Sequence, residues 1–412
     1  MKILFRKASK NIILISEKAL KAVTVLREEA AAVAKYIFLI FLIILPAVIT
    51  AQEIPEDEIQ VNMNSYFDNF RLNVIYPSVN ITKSLDKNTS ITGSYLIDAI
   101  SSASMKMKFQ VDGITSATTN KTGGSDNTPD ELRHQLSLGI TRNISGVMLS
   151  ADGMYSIEHD YSSKTFAANI SVPFAKKNTV LQFGYAGNFD KVFPQTRFWT
   201  KDRKTNSINI GLTQILSKKI VAQLDFSFIN IDGYMLDGYQ VVKIVNGYSL
   251  NTLEPIEPEK RIRKALGLRT NFGISKLSTL LLGYRYYWDT WNIRSHTADA
   301  EFKTHLTENL NVIFSLRQYY QTKAYFFKEI YTEIEPLMAV DSKLNSGYSN
   351  DISVSFSYKG NKENKMPFLN NERLTFLGSI GFYHRHTDSP DWVMRISELY
   401  AYLISLGLKI SI

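Results

Sequence analysis

His384-Arg385-His386 sets two histidines one residue apart, so on an extended strand both imidazoles share a face, as in a two-point metal grip. The alternative is a solvated strand end entering a loop, and no third ligand stands nearby in sequence. His159-Asp160, two residues before Ser162, carries the residue types of an acyl-transfer site. No nucleophile elbow or oxyanion loop surrounds it. The Gly-rich string TNKTGGSD (119–126) lacks the strand–loop–helix setting of a phosphate cradle. Cysteine is absent, which excludes disulfides, thiolate metal sites and Cys nucleophiles. The expectation is a chain with no catalytic residue, no metal and no cofactor, hence not an enzyme. The densest chemistry is YRYYWDTWNIRSH, Tyr284 to His296, where five large aromatics stand among two arginines, an aspartate and a histidine. Such a mixture suits a sugar platform, a stacking surface, a pocket or a membrane interface. The elements that carry it decide which.

Those elements alternate. In 165–174, Phe166, Ala168, Ile170, Val172 and Phe174 fall on one face, opposite Thr165, Asn169 and Ser171. In 219–230, Ile220, Leu224, Phe226 and Phe228 oppose Gln223, Asp225 and Ser227. Period two marks strands with unlike faces. Sixteen such segments can be read, near 58–66, 71–83, 89–98, 132–142, 147–157, 164–174, 178–188, 204–215, 219–230, 261–272, 277–288, 293–305, 309–320, 346–358, 372–383 and 399–412. Their length suits tilted strands that cross a bilayer. Short turns fall at 86–88, 145–146, 176–178, 217–218, 275–276 and 307–309. Long links fall at 99–131, 189–203, 231–260, 321–345 and 384–398, all of one parity; 359–371 is a long link on the turn side. Tight turns at one end and long loops at the other are the habit of an outer-membrane barrel. In hydrocarbon every backbone N–H and C=O must pair internally, so strands cross only as a closed cylinder. The fold expected is an all-β, transmembrane, antiparallel up-and-down β-barrel of about 16 strands over residues 58–412.

Ahead of it, Ile37 to Ile49 form an apolar run behind a basic segment. This is too short to span as a helix and Pro46 interrupts it. It reads as a signal peptide over residues 1–51 with cleavage after Ala51. Residues 1–35 are either an overextended start or an N-terminal helix. The net charge of +8 concentrates there: residues 1–51 contribute +5, leaving 39 of the 47 Lys/Arg against 36 of the 39 Asp/Glu. So weak a positive balance excludes a nucleic-acid footprint.

Several strings resemble a known family: LIDAISSAS (96–104), IEHDY (157–161), LTQIL (212–216), DGYMLDGYQ (232–240), YRYYWDTWNIRSHTADAE (284–301) and LRQYYQTKAYFF (316–327). Their order and content are similar to the uncharacterised bacterial outer-membrane β-barrel family called domain of unknown function 3570. The resemblance covers about residues 60–412. It implies a barrel fold and a signal peptide, and it brings no catalytic residue with it.

Parity then sorts the charges. Asp98, Asp152, Glu158, Asp225, Asp299 and Glu301 take the lumen phase with Arg263, Arg269, Arg285 and Arg317. They serve either as salt-bridging scaffold or as tuners of a water-filled pore. Tyr284, Tyr286 and Trp288 share phase with Leu280 and Leu282 and form an aromatic girdle at headgroup depth. Arg285 and Tyr287 point inward, with Asp299 as the expected partner of Arg285. The functional expectation is a pore or substrate-selective channel in the outer membrane of a Gram-negative bacterium. The rival is a non-conducting scaffold that docks envelope proteins, and an outer-membrane enzyme ranks third. The expected partners are outer-membrane lipid and envelope proteins.

Overall fold

The computed structural model describes residues 54, 56–70, 72–102, 131–195, 197–236, 238–246, 249–363, 366, 369–389 and 397–412. The leader over 1–51 and the Gly-rich string at 119–126 lie outside them. The strands are β1 (Glu58–Asp68), β2 (Leu72–Asp86), β3 (Thr89–Ser102), β4 (Glu131–Ile144), β5 (Val147–Ile157), β6 (Tyr161–Phe174), β7 (Thr179–Val192), β8 (Lys201–Ser217) and β9 (Ile220–Gly233). There follow β10 (Val242–Asn246), β11 (Ser249–Leu253), β12 (Lys260–Gly273), β13 (Ser278–Asp289), β14 (Arg294–His305), β15 (Leu310–Gln321), β16 (Gly347–Lys359), β17 (Leu374–Thr387) and β18 (Glu398–Ser411). All but β10 and β11 join, each antiparallel to its neighbours in chain order, into one closed barrel of 16 strands. β1 closes the ring on β18, with Glu58 opposite Ser411. Each of the 16 alternating segments coincides with one of these strands. β10 and β11 form a separate hairpin inside the link 231–260, where the sequence reading placed only a loop.

Closure satisfies the backbone; side-chain alternation decides what each face meets. Outside stand Leu136, Leu138 and Ile140 of β4, Phe166 of β6, Leu266 and Leu268 of β12 and Ile380 of β17, all exposed. Inside stand serines, asparagines, glutamines and charges. A soluble barrel reverses this arrangement, because water penalises an apolar outer belt of that extent. Lipid rewards it, and a Lys or Arg on that face at mid-bilayer costs about 2–4 kcal/mol. The barrel therefore spans a membrane with its polar face around the lumen.

Tight turns gather at the end holding Glu58 and Ser411. At Ser145-Gly146 both residues have positive φ (51° and 88°), the mirror-image turn that matches the twist of paired strands. Asn143 Oδ1 accepts the Gly146 N–H at 2.8 Å. The opposite end carries long connections that fold on one another. Trp291, Ile293, Ala324, Phe326, Phe327, Ala339 and Leu344 bury one cluster. Val242, Ile244, Tyr331 and Met338 bury another, joining the β10–β11 hairpin to the β15–β16 loop. Backbone bonds stitch the two loops, Val245 N–H to Tyr331 O and a reciprocal pair between Ile256 and Met338, each 2.8 Å. Every large apolar side chain so buried contributes about 1.5–3 kcal/mol, which is what holds a long connection in one shape.

Candidate functional site: the charged lumen wall

Charge gathers on the inner wall of β8, β9 and β12–β15. A cavity of about 610 Å³ lies there, with Asp225, Arg269, Arg285, Asp299 and Arg317 in its lining. A second, of about 570 Å³, lies toward the loop end. Arg203, Arg261, Arg263 and Arg285 line it beneath Met235, Glu257, Asp341 and Leu344 of the loops. Arg285 and Arg317 border both.

Strand register sets who faces whom. Arg269 opposes Gly283, Gly283 opposes Asp299, Asp299 opposes Arg317, and Arg317 opposes Asp351. One transverse row thus alternates cation and anion, with a glycine gap. Arg317 Nε lies 3.5 Å from Asp299 Oδ1. The partner of Asp299 is therefore Arg317, and the expected Arg285–Asp299 pairing is corrected: Arg285 sits opposite Thr297, one lumen-facing row away. In that adjacent row Gly267 opposes both Asp225 and Arg285. Asp225 takes the Gln223 side-chain amide at 2.8 Å.

The remaining lumen candidates lie elsewhere on the inner wall. Asp98 and Glu158 grip Arg133 from two sides, at 3.0 and 3.5 Å. Asp152 opposes Gly139, where a Cβ would stand 2.3 Å from its carboxylate oxygen, so glycine makes room for the acid. Glu301 opposes Ser315, exposed to the lumen. Arg263 opposes Asp289 in register, yet Asp289 bonds Arg261 instead.

Sequence reasoning left out Arg261, Asp289, Arg203 and Asp190, which form two ion pairs, the first buried and the second half-buried on its arginine side. Arg261 Nη2 lies 2.5 Å from Asp289 and Arg203 Nε 2.8 Å from Asp190. Their phase was legible: Arg261 shares it with Arg263, and Asp289 with Arg285. Glu257 was also left out. It lies on the loop roofing the outer cavity. Burial, with Asp341 beside it, pushes its carboxyl up to about 8, against the opposing pull of Arg261 and Arg263.

Tyr284, Tyr286 and Trp288 stand on the outer face. Tyr286 and Trp288 stack at 5.5 Å, and the Tyr284 hydroxyl lies 2.6 Å from His296 Nδ1. The opening mixture of aromatics and charges is thus divided by the barrel wall. His384 and His386 share a face, as their spacing requires, and each lies 2.7 Å from a different oxygen of Glu398. Among the described residues no group of three or more His, Cys, Asp or Glu is placed to hold a metal ion. Asp160 accepts the Tyr239 hydroxyl at 2.6 Å and lies 4.0 Å from the His159 ring. Burial raises its carboxyl, against the pull of Tyr239 and His159.

No curated protein matches the chain. Solved structures similar to it include a bacterial polysaccharide outer membrane secretin, at 8% identity and TM-score 0.48, covering 87% of this chain and 98% of that one. Another is the siderophore receptor PirA from Acinetobacter baumannii, at 10% identity and TM-score 0.43, covering 82% of this chain and 54% of the receptor, about half its length. The CymD monoaromatic hydrocarbon channel matches at 9% identity and TM-score 0.38, covering 87% and 89%. The family model described as protein of unknown function (DUF3570) matches residues 43–199 and 193–366. Those two stretches take in most of the barrel and all of the charged wall, and the chain belongs to that family.

Proposed function

We propose that this chain is a pore or substrate-selective channel in the outer membrane of a Gram-negative bacterium, and not an enzyme. One observation carries the reading. The inner wall holds two adjoining cavities, about 610 and 570 Å³, lined by charged and amide side chains that border each other at Arg285 and Arg317. A barrel whose only task is to span gains nothing from keeping such a wall hydrated, whereas permeating solutes need it. The loop end adds a selective entrance, since the loop from β15 to β16 contributes Asp341, Lys343 and Leu344 to the outer cavity.

The test is conductance of the purified chain in a planar lipid bilayer. Discrete openings support the channel. Silence across voltages, with insertion verified, sinks it and leaves a non-conducting scaffold. One observation favours that second reading: the loops at one end pack into two buried clusters, a firm surface on which an envelope protein can dock.

A further inference from the structure

The lumen wall holds two kinds of arginine. Arg203, Arg261 and Arg317 each have a carboxylate within 3.5 Å, so their charge is met inside the protein. Arg263, Arg269 and Arg285 have neither an ion pair nor a hydrogen bond to any other described residue. Each is a planar cation with five N–H donors and no acceptor of its own. The Nε of Arg263 is shielded from water and still has no partner. Arg269 and Arg285 are exposed to the lumen, so water meets their donors until an oxyanion displaces it, and no described carboxylate competes for either side chain within ion-pair distance.

Register places the three in sequence along the β12–β13 hairpin. Arg263 sits at the loop end opposite Asp289, Arg285 opposite Gly267, and Arg269 opposite Gly283. At about 3.3 Å per residue, the backbone spacing from Arg263 to the Arg285 row is about 13 Å, and from there to the Arg269 row about 7 Å. Arg263 lines the outer cavity, Arg269 the inner one, and Arg285 both. The neighbouring carboxylates offset this run only in part: Asp225 and Asp341 stay anionic, since a neutral N–H donor leaves their charge in place, and the others are engaged. Asp289 and Asp299 are committed to Arg261 and Arg317, and Asp225 accepts the Gln223 amide. Asp341 Oδ1 takes the Lys343 N–H. Glu257, raised to about 8, holds its proton at neutral pH.

We propose that Arg263, Arg285 and Arg269 form a ladder that binds small solutes bearing carboxylate or phosphate groups and hands them from the loop end to mid-lumen. Guanidinium and oxyanion match as a two-point fork, and spaced sites allow entry without capture. The transfer along the ladder rests on the channel reading; the binding does not.

The experiment therefore has two arms on the full chain in detergent and in bilayers. The first titrates inorganic phosphate, and separately succinate, by calorimetry against wild type and the triple variant R263Q/R269Q/R285Q. Saturable binding of either probe, weakened about tenfold or more in the variant, supports the ladder. Absence of saturable binding of both overturns it. The second arm measures the reversal potential in a potassium chloride gradient. Anion preference that moves toward cations in the variant supports transfer. Conductance without anion preference, and without binding, overturns the ladder and leaves the channel standing. Binding without conductance overturns the channel and leaves the anion site. Where the triple variant fails to fold, R269Q and R285Q singly carry both arms, because both side chains are exposed to the lumen.

Discussion

Arg261 and Asp289 form a buried fork: Nε and Nη2 reach one carboxylate oxygen at 2.9 and 2.5 Å. The Tyr287 hydroxyl joins that oxygen at 2.6 Å, while the other oxygen takes the Trp291 and Ile293 backbone N–H groups at 2.9 and 3.0 Å. The guanidinium also lies 4.0 Å over the Trp291 ring. One carboxylate thus ties β12, β13 and the β13–β14 turn to the loop cluster. Removing one partner strands the other charge, which costs about 3–5 kcal/mol. Asp289→Ala is expected to lower the denaturant midpoint of the detergent-folded barrel substantially, tracked by tryptophan fluorescence. An unchanged midpoint would show that the pair is decorative.

The division of the Tyr284–His296 stretch by the wall gives a paired test. Arg285→Leu is expected to change ion selectivity and leave membrane insertion intact. Tyr286→Leu is expected to slow insertion into vesicles, because its ring stacks with Trp288 on the lipid side. Selectivity in that variant should match wild type. Identical behaviour of the two variants would mean the facing is wrong.

Glu257 is expected to make the outer cavity pH-dependent. Its carboxyl, normally near 4.5, is held up to about 8 by burial and by Asp341. A raised folded value means that the stability from the protonated form is full below about 4.5 and is lost as pH rises through about 8. Ionisation also sets a carboxylate beside Arg261 and Arg263, so anion preference should fall between about pH 7 and 9. Glu257→Gln is expected to flatten both profiles. Reversal potentials and unfolding midpoints measured across that range check the sign.

The loop cap hangs on Tyr331. Its hydroxyl accepts the Ala339 N–H at 2.9 Å and is placed to donate to Phe326 O at 3.0 Å or Ala339 O at 3.2 Å. Tyr331→Phe takes away the acceptor of the buried Ala339 N–H and a donor to Phe326 O, a cost of about 1–3 kcal/mol, while Ala339 O keeps the Lys328 N–H. Faster hydrogen exchange confined to 322–346, with barrel strands unaffected, is the expected result.

Strands were legible because each barrel strand must send apolar side chains to one side, and that demand is written locally. The β10–β11 hairpin was not, since Val242 and Ile244 owe their burial largely to Tyr331 and Met338 of a distant loop. Parity put Arg285 and Asp299 on the same inner wall but could not pair them. Pairing follows register, and register is fixed by the turns. Counting equally to either side of Glu308 brings Asp299 opposite Arg317, so the turn at 307–309 held the answer. The outer cavity was out of reach, because its roof comes from loops whose shape is tertiary.

The seam between β1 and β18 governs how the molecule can be made. The Asn69 side-chain amide donates to the Glu398 carbonyl, 329 positions further along the chain, and β1 pairs with β18 to close the ring. Until the last strand arrives, every assembly intermediate has two open edges of unpaired backbone and an apolar flank facing water. Such a ribbon folds slowly and invites pairing with other chains. Pairing β1 with β18 closes both edges at once, so this seam is the step that ends the exposure of the ribbon.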